Sequence, residues 1–467
     1  MPTVSNRKRF RSPIGGTAMA ASVFAVALAL TGGSSRPDSG FLIVSEGAAI
    51  VAIVVTLWRP RSDTQHASAQ AKAILWLLAA LTAIMVMQLL PLPPSIWTAL
   101  PGRQLYASSA ALMNYEQPWR PISLTPDLTI IATLGMLPLW AAGLLGNALL
   151  DRAAVRLASA WFLMAIIVVT WLLGLVQVIS GPDSIAYYYP VSSRSTATGL
   201  LANRNHDALL LSFGIPLLPY LMRRLSVHRG LSVAIALAVL IALLGGILLT
   251  GSRAGLLVGV VGLEASVMLF RKSQKGPRRR ALAAVAIAVP CMALAGTFIM
   301  ERFFDIRQAI ESDPRFYLAP DFARMAGHFF PWGSGFGSFD PAYRALERPE
   351  TLSLTFMNHA HDDVLEIVIE GGLAGLLWLI AVVTMFGIHA SRLWRASGNE
   401  PTLGQVGSVL LLQTGLASVF DYPCRTPLMG ALVILAAMWM IIQRNDASAR
   451  RTVPLRAPRL KLDAFNE

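Results

Sequence analysis

Charge is scarce in this sequence. Only 14% of its 467 residues are charged while 55% are hydrophobic, and mean hydropathy is +0.56, which excludes a soluble protein of this length. Cysteine is nearly absent too: Cys291 and Cys424 are the only two, too few for a disulfide framework. No GxxxxGK[ST] occurs, so no ATP-driven chemistry is implied. The one glycine-rich run, GSGFGSF at 333–339, follows no strand pattern and reads as turns. Neither HExxH nor a Cys/His zinc spacing occurs. An internal repeat relating the first half of the apolar segments to the second is also missing, although many transporters are built from such repeats.

Long apolar runs are what the chain does have. Twelve stretches suited to cross a bilayer as helix lie between 14 and 443, nine before residue 300 and three after 365. The expected fold is all-α: a polytopic membrane protein with about twelve transmembrane helices. It divides into an N-terminus (1–13), spans one to nine (14–300), a loop subdomain (301–364), spans ten to twelve (365–443) and a basic tail (444–467).

Basic residues set the orientation, because they are retained on the cytoplasmic side. Starting with Arg7, Lys8, Arg9 and Arg11 inside, every second crossing returns to a basic loop, and 26 of the 39 basic residues fall inside, including all five lysines. Both termini are expected in the cytoplasm. The net charge of +13 then reflects topology and anionic membrane lipid, with no nucleic acid implied. The first apolar run has the basic start of a signal peptide, but with eleven spans behind it the expectation is a retained anchor.

The outward segments are unequal. Those at about 91–127, 181–206 and 301–364 are long, and long loops carry function. The last is rich in aromatics and is expected to fold as a small helical cap. All basic residues assigned outside are arginines, whose planar fork matches phosphate oxygens. Two sit at the mouths of spans. Arg204 lies in LLANRNHDALLLS and Arg253 in ILLTGSRAGLLVG. Each reads either as a phosphate clamp, with the backbone N–H groups beside Arg253 joining an anion site, or as a structural group, Arg204 capping a helix and Arg253 marking a turn.

The stretch FMNHAHDDVLEIVIEGG (356–372) opens the tenth apolar run with two histidines, two aspartates and two glutamates. Asp363 and Glu366 have capping-box spacing, so a helix should begin near Asp363 with His361 just outside it. Glu366 and Glu370 share a face, and Gly371 with Gly375 forms GxxxG, a site for close approach of another helix. An imidazole titrates near neutral pH when unperturbed and suits a general base there. A metal site from HxHDD and a plain polar helix cap are the competing readings.

In this order, LPLPPSIWTALPGR, ISLTPD, LLANRNHDA, TGSRAGLL, GSGFGSF, HAHDDVLEIVIEGGLAGLL and FDYPCRTPLMGAL resemble the O-antigen ligase and polymerase superfamily of membrane glycosyltransferases, over about 88–435. The resemblance implies a metal-independent enzyme of the bacterial inner membrane without a cofactor, its active site facing the periplasm. Its donor would be a glycan on undecaprenyl diphosphate and its acceptor a hydroxyl on lipid A-core, a polysaccharide or a protein. Arg204, Arg253 and His361 match the family's essential arginines and loop histidine. Asn203, His206, Ser252, Arg315, Arg324, Arg344, His359 and Arg425 are candidates for holding substrate. Two positions depart from the family pattern: Asp362 stands where asparagine is commoner, and Asp207 where an apolar or aromatic residue is. Asp362 and Asp363 are expected to orient the imidazole. A transporter or flippase and a non-catalytic scaffold are the alternatives from other classes.

Overall fold

The computed structural model describes residues 13–36, 39–58, 69–191, 194–272, 317–352, 357–396 and 400–442. The ninth expected span (281–300), Cys291, Arg315 and the basic ends lie outside those residues.

Apolar runs become helices because only a helix satisfies its own backbone polar groups where water is absent. In chain order these are α1 (Pro13–Thr31), α2 (Phe41–Leu57), α3 (Ala69–Met87), the short α4 (Pro94–Trp97) and α5 (Gln104–Leu112), α6 (Pro126–Leu134), α7 (Leu137–Leu149), α8 (Ala153–Ser180), α9 (Arg204–Met222), α10 (Arg229–Thr250) and α11 (Arg253–Lys272). Further on come α12 (Ala319–Phe329), α13 (Phe339–Leu346), α14 (Asp363–Ala396), α15 (Leu403–Ala417) and α16 (Pro427–Ile441). Five of the described helical segments are long and apolar enough to cross a membrane, and five more are apolar but of 10–17 residues. The only strands among the described residues are two residues each, β1 (Pro91–Leu92) and β2 (Arg120–Pro121), paired antiparallel.

Helix α9 is the centre. Every residue from His206 to Met222 is buried, with α8, α10, α11 and α15 packed around it. Arg204 and Asn205 at its start are half-buried, and the helix is enclosed from His206 onward. Helices α1, α3, α7, α14 and α15 surround α16 in the same way.

A second, smaller core joins α12 and α13 to the start of α14. Phe322, Met325, Phe329, Phe339 and Tyr343 pack there with Ala360 and Ile369. Below it runs the glycine-rich segment. Gly333, Gly335 and Gly337 all have positive φ (77°, 104° and 85°), so the turn reading of GSGFGSF holds. Buried Arg103, from the LPLPPSIWTALPGR stretch, donates to the carbonyls of Pro101, Ile122 and Gly333. That arginine ties the segment at 101–122 to the glycine-rich segment.

Helix α14 corrects one expectation. Gly372 has φ 58° and ψ −143°, which breaks the helix. The Leu373 N–H donates instead to the Pro331 carbonyl, at 2.8 Å, and a Cβ on Gly372 would fall 2.2 Å from that same oxygen. Among the described residues no other helix comes nearest to a Cβ built on either GxxxG glycine. The nearest neighbours are the Phe336 ring at Gly371 and Ile367 of the same helix at Gly375, because the loop at 331–337 and the break fill the space that a partner helix would need.

Candidate active site

Four segments, the last two adjacent in sequence and the others far from them, meet at the short turn between α15 and α16, which carries Asp421, Tyr422 and Arg425. The first is the start of α9. Asn203 caps it, accepting from the Asn205 N–H at 2.8 Å. Both asparagine amides then donate to Asp421 Oδ2, Asn203 at 3.1 Å and Asn205 at 2.6 Å. Arg204, between them, is the first residue of the helix. Its Nη1 lies 3.6 Å from where a Cβ on Gly251 would be, so its guanidinium rests against the turn that precedes Arg253.

That turn is the second segment. Gly251 ends α10 in the left-handed region with φ 63°, which suits glycine. Ser252 is buried and fully employed: its hydroxyl donates to Asn205 Oδ1 at 2.7 Å and accepts from the Gly255 N–H at 2.9 Å, while its own N–H donates to the Thr250 hydroxyl. Ser252 is thus a helix cap and a link to α9. Arg253 begins α11 and is exposed.

The third segment is the histidine turn. His361 has φ 53°, a conformation few non-glycine residues adopt. Its Nδ1 donates to the His359 carbonyl at 3.0 Å. A carbonyl only accepts, so that nitrogen carries the proton and the neutral ring presents Nε2 as a lone pair. Tyr422 is the common wall for three imidazoles, with ring centroids 4.2 Å from His359, 5.0 Å from His361 and 5.3 Å from His206. Buried His206 Nε2 lies 3.8 Å from Asp421 Oδ1.

The acidic face of α14 supplies the fourth segment. Asp363, Glu366 and Glu370 are buried on one face, and all three carboxylates converge on Arg425, at 3.5, 3.1 and 3.0 Å. Glu370 Oε1 also accepts from the N–H groups of Gly337 and Phe339. The glycine-rich segment is therefore a nest of donors for a carboxylate. Glu366 Oε1 meets His359 Nδ1 at 2.8 Å, and its Oε2 accepts from the Ala360 N–H at 2.8 Å.

Electrostatics follow from these contacts. Burial opposes the charge of Asp421, yet its contact with His206 and the Asn205 amide hold its carboxyl well below the usual range. Burial and the Asp421 charge push the Tyr422 hydroxyl up to about 12, so it stays neutral. For Arg425 burial acts downward, but its three carboxylates outweigh it and raise the pKa.

Sequence reasoning placed the helix start at Asp363, and the helix does begin there. The cap, however, is Asp362, whose Oδ1 accepts from the Leu365 N–H at 3.0 Å. Asp363 instead accepts from the Ser418 hydroxyl and faces Arg425. Those engagements replace the imidazole-orienting role expected of the two aspartates, and a backbone carbonyl performs it. Arg324 and Arg344 pair with Asp321 and Asp340 of their own helices and do not join the cluster at Tyr422. Among the described residues no group of three or more His, Cys, Asp or Glu side chains is arranged to hold a metal ion. Asp421 and Tyr422 were missed as site residues; a carboxylate and an aromatic in a turn between two apolar runs, FDYPC, were the available signal.

Residues 208–380, from the second turn of α9 to the middle of α14, match the family model described as O-antigen ligase. Over that stretch the chain is similar to O-antigen ligases. No curated protein matches it. The matched stretch contains Arg253 and His361, and the motifs around Arg204 and Asp421 flank it on either side. The match and the apolar helices together point to a membrane protein.

Proposed function

We propose that this protein is a member of the O-antigen ligase superfamily and transfers a glycan from a polyprenyl diphosphate carrier, undecaprenyl diphosphate in bacteria, to an acceptor hydroxyl at the periplasmic face of the inner membrane. One observation carries the reading. The Asp421–Tyr422 turn holds the residues on either side of Arg204 by two hydrogen bonds and the His361 ring by aromatic contact, so an anion-binding arginine and a candidate base share one scaffold.

In this mechanism the acceptor hydroxyl gives its proton to His361 Nε2 as its oxygen bonds to the anomeric carbon. The bond from that carbon to the diphosphate oxygen breaks, and its electron pair leaves with the polyprenyl diphosphate. Arg204 and Arg253 meet the charge gathering on that leaving group. The activated linkage drives the transfer, so neither nucleotide nor metal is required. Arg253 should be a fork donor and not merely a charge. Arg253→Lys is expected to lose most transfer activity in vitro, and a near-normal lysine variant would leave Arg253 as a turn marker.

The twelve-span arrangement, with both termini in the cytoplasm, belongs to the same proposal. A reporter active only outside the cytosol should give signal when fused after residue 347 and none when fused after residue 226, beside Arg223 and Arg224. The reverse pattern would put the site on the wrong side. Deletion of the gene followed by glycan profiling tests the activity itself. Loss of long chains on lipid A-core with accumulation of lipid-linked polymer is the result expected of a ligase. Single repeat units left on the acceptor would mark a polymerase, unchanged lipid-borne glycans with bare protein a protein O-glycosyltransferase, and a normal profile would end the proposal.

A further inference from the structure

We propose that Glu366 is a positioning residue that sets the aim of His361, acting through the His359–Ala360 turn. This inference rests on His361 being the base.

One carboxylate grips two consecutive residues. Glu366 Oε1 holds the side chain of His359 and Oε2 holds the backbone N–H of Ala360, both at 2.8 Å. The next residue is His361, whose ring is fixed by the carbonyl of His359. The grip therefore fixes the carbonyl that sets both tautomer and orientation of the reacting imidazole. It also holds the chain as it enters a φ of 53°, which has no helix or strand ladder to support it. Without the grip, the turn can relax toward commoner backbone angles and carry Nε2 away from the acceptor.

Glu366 is itself immobile. Its carboxylate is wholly buried and lies 3.1 Å from Arg425 Nη2. Arg425 is held in turn by Glu370, and Glu370 by the backbone donors of Gly337 and Phe339. A continuous line of charge-assisted contacts thus runs from the glycine-rich segment to the histidine turn. Full burial also keeps Glu366 away from substrate, so its influence must pass through its neighbours. The arrangement resembles in logic the outer partners that orient metal-bound or catalytic histidines.

The test uses the full-length protein in lipid with a lipid-linked glycan donor and its acceptor. Glu366→Gln keeps one accepting oxygen where the carboxylate offers two, and should lower kcat by about 10²-fold, the scale of a 1 Å misplacement, while donor KM stays within about twofold. Added to His361→Ala, the same change should alter the residual rate by less than about twofold, because both substitutions act on one event. An unchanged kcat, a loss confined to donor KM, or a full additional loss on top of His361→Ala overturns the inference. If Glu366→Gln does not fold, His359 variants decide. Asparagine at 359 places an N–H where Nδ1 stands and should recover at least about tenfold of the rate lost in His359→Leu; equal rates for the two overturn the inference. The base assignment fails separately, by His361→Ala keeping the normal rate. His361→Ala inactive beside a fully active Glu366→Gln would sink the positioning role alone.

Discussion

His361→Ala should lower the rate of glycan transfer by about 10²- to 10⁴-fold, the usual contribution of a positioned general base. Binding of the lipid-linked donor should survive, since that affinity is assigned to the arginines. The motive is geometric: the ring donates from Nδ1 to a carbonyl at 3.0 Å, which leaves Nε2 as the only basic atom of the neutral side chain. His359 is different. Its Nδ1 faces a buried carboxylate, and its carbonyl serves His361, a service that alanine at 359 would still perform. His359→Ala is therefore expected to keep measurable turnover, held by the remaining Ala360 N–H contact. Purified variants assayed for transfer and for donor binding in parallel separate the two histidines. Half the normal rate in His361→Ala would remove it from the mechanism, and an inactive His359→Ala beside it would move the base two residues upstream.

Arg425→Gln should be the most damaging single change to stability. Removing one partner of a buried ion pair costs about 3–5 kcal/mol, because the other charge is left uncompensated, and here three carboxylates depend on one guanidinium. Lysine should rescue only part of the loss, since a point charge cannot serve three acceptors as a planar fork does. Adding Glu370→Gln to Arg425→Gln should restore some stability by removing one of the stranded charges. The measurement is the thermal midpoint in detergent, with the monodisperse fraction as a second readout. A normal midpoint for Arg425→Gln would show that the carboxylates have another counter-charge, and Arg425 would then be available to hold substrate.

Lipid imposes a simple rule on sequence, and that made the apolar helices legible. The helix start at Asp363 and the buried shared face of Glu366 and Glu370 were also local, being set by spacing within a few residues. What could not be read was relational. Asp421 matters because Asn203 and Asn205 reach it from more than 200 residues away, and no local pattern announces such a partner. GSGFGSF reads as turns, but its purpose, backbone donors for Glu370, depends on which carboxylate arrives there. At Gly371 to Gly375 the spacing pointed to a helix partner. The feature that decides the geometry is instead the neighbouring Gly372, which makes room for the Pro331 carbonyl.

Gly372 also divides labour along its own helix. The residues from Leu373 to Ala396 continue as helix beyond the break, a run of about 36 Å at 1.5 Å per residue, against a hydrocarbon core of about 30 Å. That portion can bridge the bilayer unaided. The two turns from Asp363 to Gly371, with all their carboxylates, are then superfluous to the length of a crossing, like a bracket on a mast. Ionic groups that would be ruinous in hydrocarbon sit among protein donors instead, and the bracket can be retuned by substitution without disturbing the mast.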